Sequence, residues 1–181
     1  MSVIKTEIEG LFVFEPRVFE DDRGYFFESY NSSVWAEQGI NTIFVQDNES
    51  KSKYGTLRGL HYQRKPFAQT KLVRVTAGAV LDVVIDIRTD SPTYGQSYSI
   101  VLSNENHKQL FIPRGFAHGF IALSDQVIFN YKCDNFYNKE SEGSIHPFDT
   151  NLAIDWTLKK EDIILAEKDS NSPNFGDHLA F

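Results

Sequence analysis

The sequence predicts an all-β fold, a double-sheet jelly roll with one or two short helices, spanning residues 1–181 as a single domain. Aromatic residues make up 14% of the chain, with fifteen Phe and eight Tyr, and Val, Ile and Thr recur in short runs, a composition that suits strands. Apolar and polar residues alternate through the middle of the chain, and turn-forming clusters interrupt the alternation at short intervals. A hydrophobic content of 41% over this length is enough to bury a sizeable core.

In chain order, Met1 to Gly10 carries Lys5, Glu7 and Glu9 in a short amphipathic stretch, so it lacks the apolar core of a signal peptide. Ser32 to Gln38 reads as a helix, because Asn31 is a good amino-terminal cap and Gly39 a good stop. Lys71 to Val75, Val80 to Asp86 and Val127 to Cys133 each fit a short strand. Ala77-Gly78, Ser91 to Gly95, Pro113 to Gly115 and Ser141 to Gly143 read as turns between elements. Along the third strand Val127, Phe129, Tyr131 and Cys133 share one face, which turns the Tyr131 hydroxyl inward, where it needs a partner or a substrate.

The formal net charge of -7 argues against general nucleic-acid binding, which requires a broad cationic surface. A small anion remains compatible if cations gather locally, and Arg23, Arg58, Arg74, Arg114 and Lys168 are the candidates. Arg58 and His61 are three residues apart, so a regular strand would point them to opposite faces, unless Gly59 hosts a bulge that resets the alternation. The single cysteine, Cys133, has no disulfide partner in the chain and starts no thiolate zinc site, which suits a reducing, cytoplasmic setting. No apolar run reaches the length of a membrane span.

His61, Lys71 and Tyr131 fall in segments expected to line the interior. Together they suit enolisation beside a ketone: a base near neutral pH, a cation for the carbonyl oxygen and an acid to return the proton. Spacing alone also fits a hydrogen-bonded core histidine, a surface lysine and a core aromatic. Many jelly rolls of the cupin type hold a metal through a His-x-His pair, but His61-Tyr62-Gln63 lacks the second ligand. His118, in Ala117-His118-Gly119-Phe120, reads more simply as a histidine hydrogen-bonded in a tight turn than as a lone ligand. No metal is expected.

Several motifs in order resemble the dTDP-4-dehydrorhamnose 3,5-epimerase family. They are Asp22 to Tyr30 (DRGYFFESY), Phe44 to Asn48 (FVQDN), Leu57 to Gln63 (LRGLHYQ), Lys71 to Val73, Asp82 to Arg88 (DVVIDIR), Ile112 to Phe120 (IPRGFAHGF) and Lys168-Asp169. The resemblance implies a jelly-roll homodimer that exchanges amino-terminal strands, a dTDP-linked 4-keto sugar as substrate, and no cofactor. It implies His61 as base with Asp169 as its orienting carboxylate, Lys71 beside the enolate oxygen and Tyr131 as acid on the opposite face. Arg23, Gln46, Asn48, Arg58 and Lys168 match positions that hold the nucleotide diphosphate. Phe26 and Glu28 match a thymidine-contacting segment, partly from the neighbouring subunit, and Tyr137 matches the sugar pocket. His118 is included among the substrate-binding candidates, and Asp82 is a candidate to support the site from behind. The chain departs from the family at Pro147, Phe148 and Thr150, which bears on fine substrate choice. Inversion of one sugar centre only, and non-catalytic sugar-nucleotide binding, are the competing readings.

Overall fold

The structure, a computed structural model, describes residues 2–181. Strands β1 (Ser2–Lys5) and β2 (Phe12–Glu15) pair with each other, and an exposed hairpin of β3 (Phe19–Asp21) and β4 (Gly24–Phe26) follows. Helix α1 (Ser32–Glu37) is capped as expected, with the Asn31 side chain accepting from the Ser33 and Val34 amides. Gly39, at φ +80°, lies just beyond the helix where a left-handed residue ends it.

The body of the fold is β5 (Gln46–Ser52), β6 (Thr56–Gln63), β7 (Lys71–Ala77), β8 (Ala79–Asp86), β9 (Ser97–Ser103), β10 (Gln109–Ile112), β11 (Phe116–Ala122) and β12 (Val127–Cys133). The three expected strands are all present. Short β13 (Glu142–Ser144), β14 (Ile164–Leu165) and helix α2 (Glu167–Ser170) complete the chain. Two expected turns need correction. Glu142 and Gly143 belong to a strand edge that pairs with Gln63 and Tyr62, and His118 sits in the middle of β11, not in a turn.

Apart from the separate β3-β4 hairpin, the strands form two sheets, ordered β1-β2-β10-β7-β12-β5 and β13-β6-β11-β8-β9, with β14 parallel beside β6. This is the expected double-sheet arrangement. Between the sheets Val73, Val75, Val84, Phe120, Val127 and Phe129 form the main core. Phe120 of one sheet stacks on Phe129 of the other, with ring centroids 4.2 Å apart, so two large aromatic rings fill the gap below the site. The outer face of the second sheet is covered by the carboxy-terminal third of the chain, through Ile145, Leu152 and Trp156. Covering on both faces explains why nearly every residue of β8 is buried, a run of apolar residues instead of strict alternation.

One irregularity positions the site. His118 pairs with His61 and Phe120 pairs with Arg58, so three residue steps on β6 oppose two on β11. This is a bulge at Gly59, where the backbone has φ +136° and an added Cβ would lie 2.5 Å from the Gly119 Cα. The bulge puts Arg58 and His61 on the same side, resolving the parity conflict in the sequence.

Candidate active site

A cavity of about 510 Å³ opens between the sheets. Strand β6 brings Arg58 and His61 to it, β11 brings His118, and the facing sheet brings Lys71 from β7 and Tyr131 from β12. Lys168 and Asp169 reach it from α2. A second hollow, of about 310 Å³, adjoins through His61, Lys71 and Tyr131 and is lined by Gln46, Asn48, Tyr137 and Glu142.

His61 Nε2 lies 2.7 Å from Asp169 Oδ1. An ionised carboxylate can only accept, so Nε2 carries a proton, and in the neutral imidazole the lone pair lies on Nδ1. Asp169 is buried, and its other oxygen accepts from the Gly59 amide at 3.5 Å, which links the dyad to the bulge. Burial opposes the Asp169 charge, yet the hydrogen bond and charge of His61 hold its carboxyl below the usual range.

Lys71 and Tyr131 stand on neighbouring strands, with Lys71 Nζ 6.0 Å from the Tyr131 ring centre. Burial pushes the Lys71 ammonium below the ordinary lysine value, against the pull of Cys133, Asp82 and Glu142. Burial pushes the Tyr131 phenol up, Cys133 adds to this, and Arg58 opposes it. The phenol is therefore protonated at neutral pH and able to give a proton.

His118 has its own carboxylate, with Nε2 2.9 Å and 3.1 Å from the oxygens of fully buried Asp82. Asp82 lies 36 residues earlier, on β8, so the pair forms only when β8 and β11 meet. Arg58 donates to Ser52 Oγ at 3.1 Å and to the Lys51 carbonyl at 3.3 Å, which braces its guanidinium at the cavity edge. Glu142, a residue the sequence reading missed, accepts from Lys168 Nζ at 2.6 Å and from the Tyr137 hydroxyl at 3.2 Å. Gln46 donates to Asn48 at 3.0 Å and accepts from the Tyr137 amide at 3.2 Å.

Other candidates lie elsewhere within the single chain. Arg23 is paired with Asp21 on the exposed hairpin, Phe26 is 70% exposed beside it, and Glu28 accepts from Asn31. Arg114 is paired with Asp134, and Arg74 lies on the outer side of the first sheet, so neither lines the cavity. The divergent segment also lies apart. Ile145 and Phe148 pack on the outer face of the second sheet, Trp156 Nε1 donates to the Pro147 carbonyl at 2.8 Å and Thr150 is exposed, so the changes at Pro147, Phe148 and Thr150 lie outside the lining of either hollow. Among the described residues no three His, Cys, Asp or Glu side chains gather as a metal-binding group, and no helix is long and apolar enough to cross a membrane.

The model of the family described as dTDP-4-dehydrorhamnose 3,5-epimerase matches residues 5–177. The chain is 51% identical over 178 residues to the dTDP-4-dehydrorhamnose 3,5-epimerase of Shigella flexneri, covering 98% of this chain and 97% of that one. The crystal structure of the enzyme of that name from Elizabethkingia anophelis superposes with a TM-score of 0.93 at 53% identity, covering 98% of this chain and 97% of the other. The dTDP-6-deoxy-D-glucose-3,5-epimerase of Legionella pneumophila, solved in complex with dTDP-4-keto-L-rhamnose, superposes with a TM-score of 0.93 at 47% identity, covering 97% of this chain and 93% of the other. From its fold, its cavity and these likenesses, the chain belongs to the dTDP-4-dehydrorhamnose 3,5-epimerase family.

Proposed function

We propose that this protein inverts C3 and C5 of dTDP-4-dehydro-6-deoxy-D-glucose to give dTDP-4-dehydro-L-rhamnose, with His61 as base and Tyr131 as acid. The observation that carries the reading is the placement of these two groups on facing sheets across one cavity, with Lys71 beside Tyr131. Each inversion begins when His61 Nδ1 takes the proton from the carbon next to the C4 ketone. The electron pair moves onto the C4 oxygen, and the Lys71 ammonium stabilises the resulting enolate. Asp169 stabilises the imidazolium formed at His61. Tyr131 then protonates the same carbon from the other side, which inverts it, and solvent restores both side chains to their starting states.

In this reading Arg58, Lys168, Gln46 and Asn48 hold the diphosphate, Tyr137 borders the sugar and His118 faces the substrate from β11. Arg23, Phe26 and Glu28 complete the site of a partner subunit in a cytoplasmic homodimer, because all three are exposed and line neither hollow of the active site in their own chain. Turnover in heavy water tests the reaction. Deuterium at both C3 and C5 of the product is expected, and label at one carbon only would make the protein a single-centre epimerase.

A further inference from the structure

We propose that Gln63 is a positioning residue that fixes Tyr137 against the cavity, and through it sets the affinity for substrate. Gln63 lies on β6, two residues after His61, and is 7% exposed. Its side-chain amide is committed to the backbone. Nε2 donates to the Phe67 carbonyl at 2.8 Å and the Phe136 carbonyl at 3.2 Å, and Oε1 accepts from the Asn138 amide at 2.7 Å. Two of the three bonds therefore grip the residues immediately before and after Tyr137.

The segment needs such a grip. Residues 135–138 form no helix or strand, and Tyr137 itself is 55% exposed. Gln46 of β5 holds the Tyr137 amide and Glu142 of β13 holds its hydroxyl, while Gln69 donates to the Asn135 carbonyl at 2.8 Å. Among the described residues, Gln63 is the one whose side chain ties the segment to β6, the strand that carries the proposed base. A glutamine supplies both donors and the acceptor at one point. A glutamate keeps the shape and the acceptor but sets a carboxylate against two carbonyls, and a methionine removes all three bonds while keeping much of the bulk.

The inference rests on the reading that Tyr137 borders the substrate, and the test separates the two. Gln63→Met and Gln63→Glu are compared with wild type, with Tyr137→Ala and with the double variant Gln63→Met/Tyr137→Ala. Hydrogen exchange of residues 134–138 in the ligand-free protein should speed up in Gln63→Met, and unchanged exchange there would overturn the clamp. With dTDP-4-dehydro-6-deoxy-D-glucose, each Gln63 variant should raise KM roughly tenfold, the scale expected when buried hydrogen-bond partners are lost, with a smaller change in kcat. In the Tyr137→Ala background Gln63→Met should raise KM little further, because the two substitutions remove one device. Additive effects would overturn positioning through Tyr137. If Tyr137→Ala alone leaves KM unchanged, it is the placement of Tyr137 beside substrate that fails, and the exchange measurement still decides the clamp.

Discussion

At the scale of single residues, the proposed mechanism depends on keeping two proton carriers in opposite states. The carboxylate of Asp169 accepts from His61 Nε2, so that the neutral tautomer presents its lone pair at Nδ1, while burial pushes the Tyr131 phenol further up, away from ionisation. Asp169→Asn should therefore lower turnover by roughly two to four orders of magnitude with little loss of fold, since an amide neither fixes the tautomer nor stabilises the imidazolium. Thermal melting and steady-state rates on the same sample check this, and near-normal turnover would remove Asp169 from the mechanism. Tyr131→Phe should still exchange substrate protons with heavy water, because the base and Lys71 remain, but product formation should fall steeply. Inverted product at a wild-type rate would assign the acid to another group, with Tyr137 the next in reach. His61, Lys71 and Tyr131 were legible in the sequence as a set of chemical types in inward-facing segments. Glu142 and the His118–Asp82 pair were not, because each depends on partners brought together from distant strands.

At the scale of elements, the strands and helix were legible where local chemistry fixed them. Asn31 and Gly39 mark the ends of α1, and period-two alternation marks β12. Segments whose state depends on a neighbour were misread. Glu142 and Gly143 look like a turn until β6 offers an edge to pair with, and Ala117 to Phe120 looks like a turn because it contains Gly119, which in the fold serves the close approach of the β6 backbone inside a strand. The family-divergent stretch near Pro147 seemed to bear on specificity because it follows Tyr137 in sequence, whereas in space it packs behind the second sheet. The bulge makes the sharpest prediction at this scale. Gly59→Ala should cost more than about 2 kcal/mol in stability, because it combines a positive-φ strain with a clash against Gly119. Denaturant titration measures the loss, and a variant as stable as wild type, with normal activity, would mean that Arg58 and His61 do not depend on the bulge for their common face.

At the scale of the whole molecule, the proposed exchange between subunits has a direct test. If the exposed hairpin completes the neighbour's site, a His61→Ala chain and a Phe26→Ala chain fail as homodimers but restore one sound site when mixed after co-refolding. Activity well above that of either parent is the expected outcome. Mixing that restores nothing would confine Phe26 to its own subunit or exclude it from the site. The stacked pair of Phe120 and Phe129, described above as filling the gap beneath the cavity, takes on a different meaning in this setting. One ring belongs to the sheet bearing the proposed base and the other to the sheet bearing the proposed acid, so in the proposed mechanism the pair is a shim between the two proton carriers. Phe129→Leu would thin that shim, and deuterium wash-in per inversion, compared with wild type, would report the change as a loss of stereochemical fidelity. The thickness of a hydrophobic core would then be read directly as the handedness of a sugar.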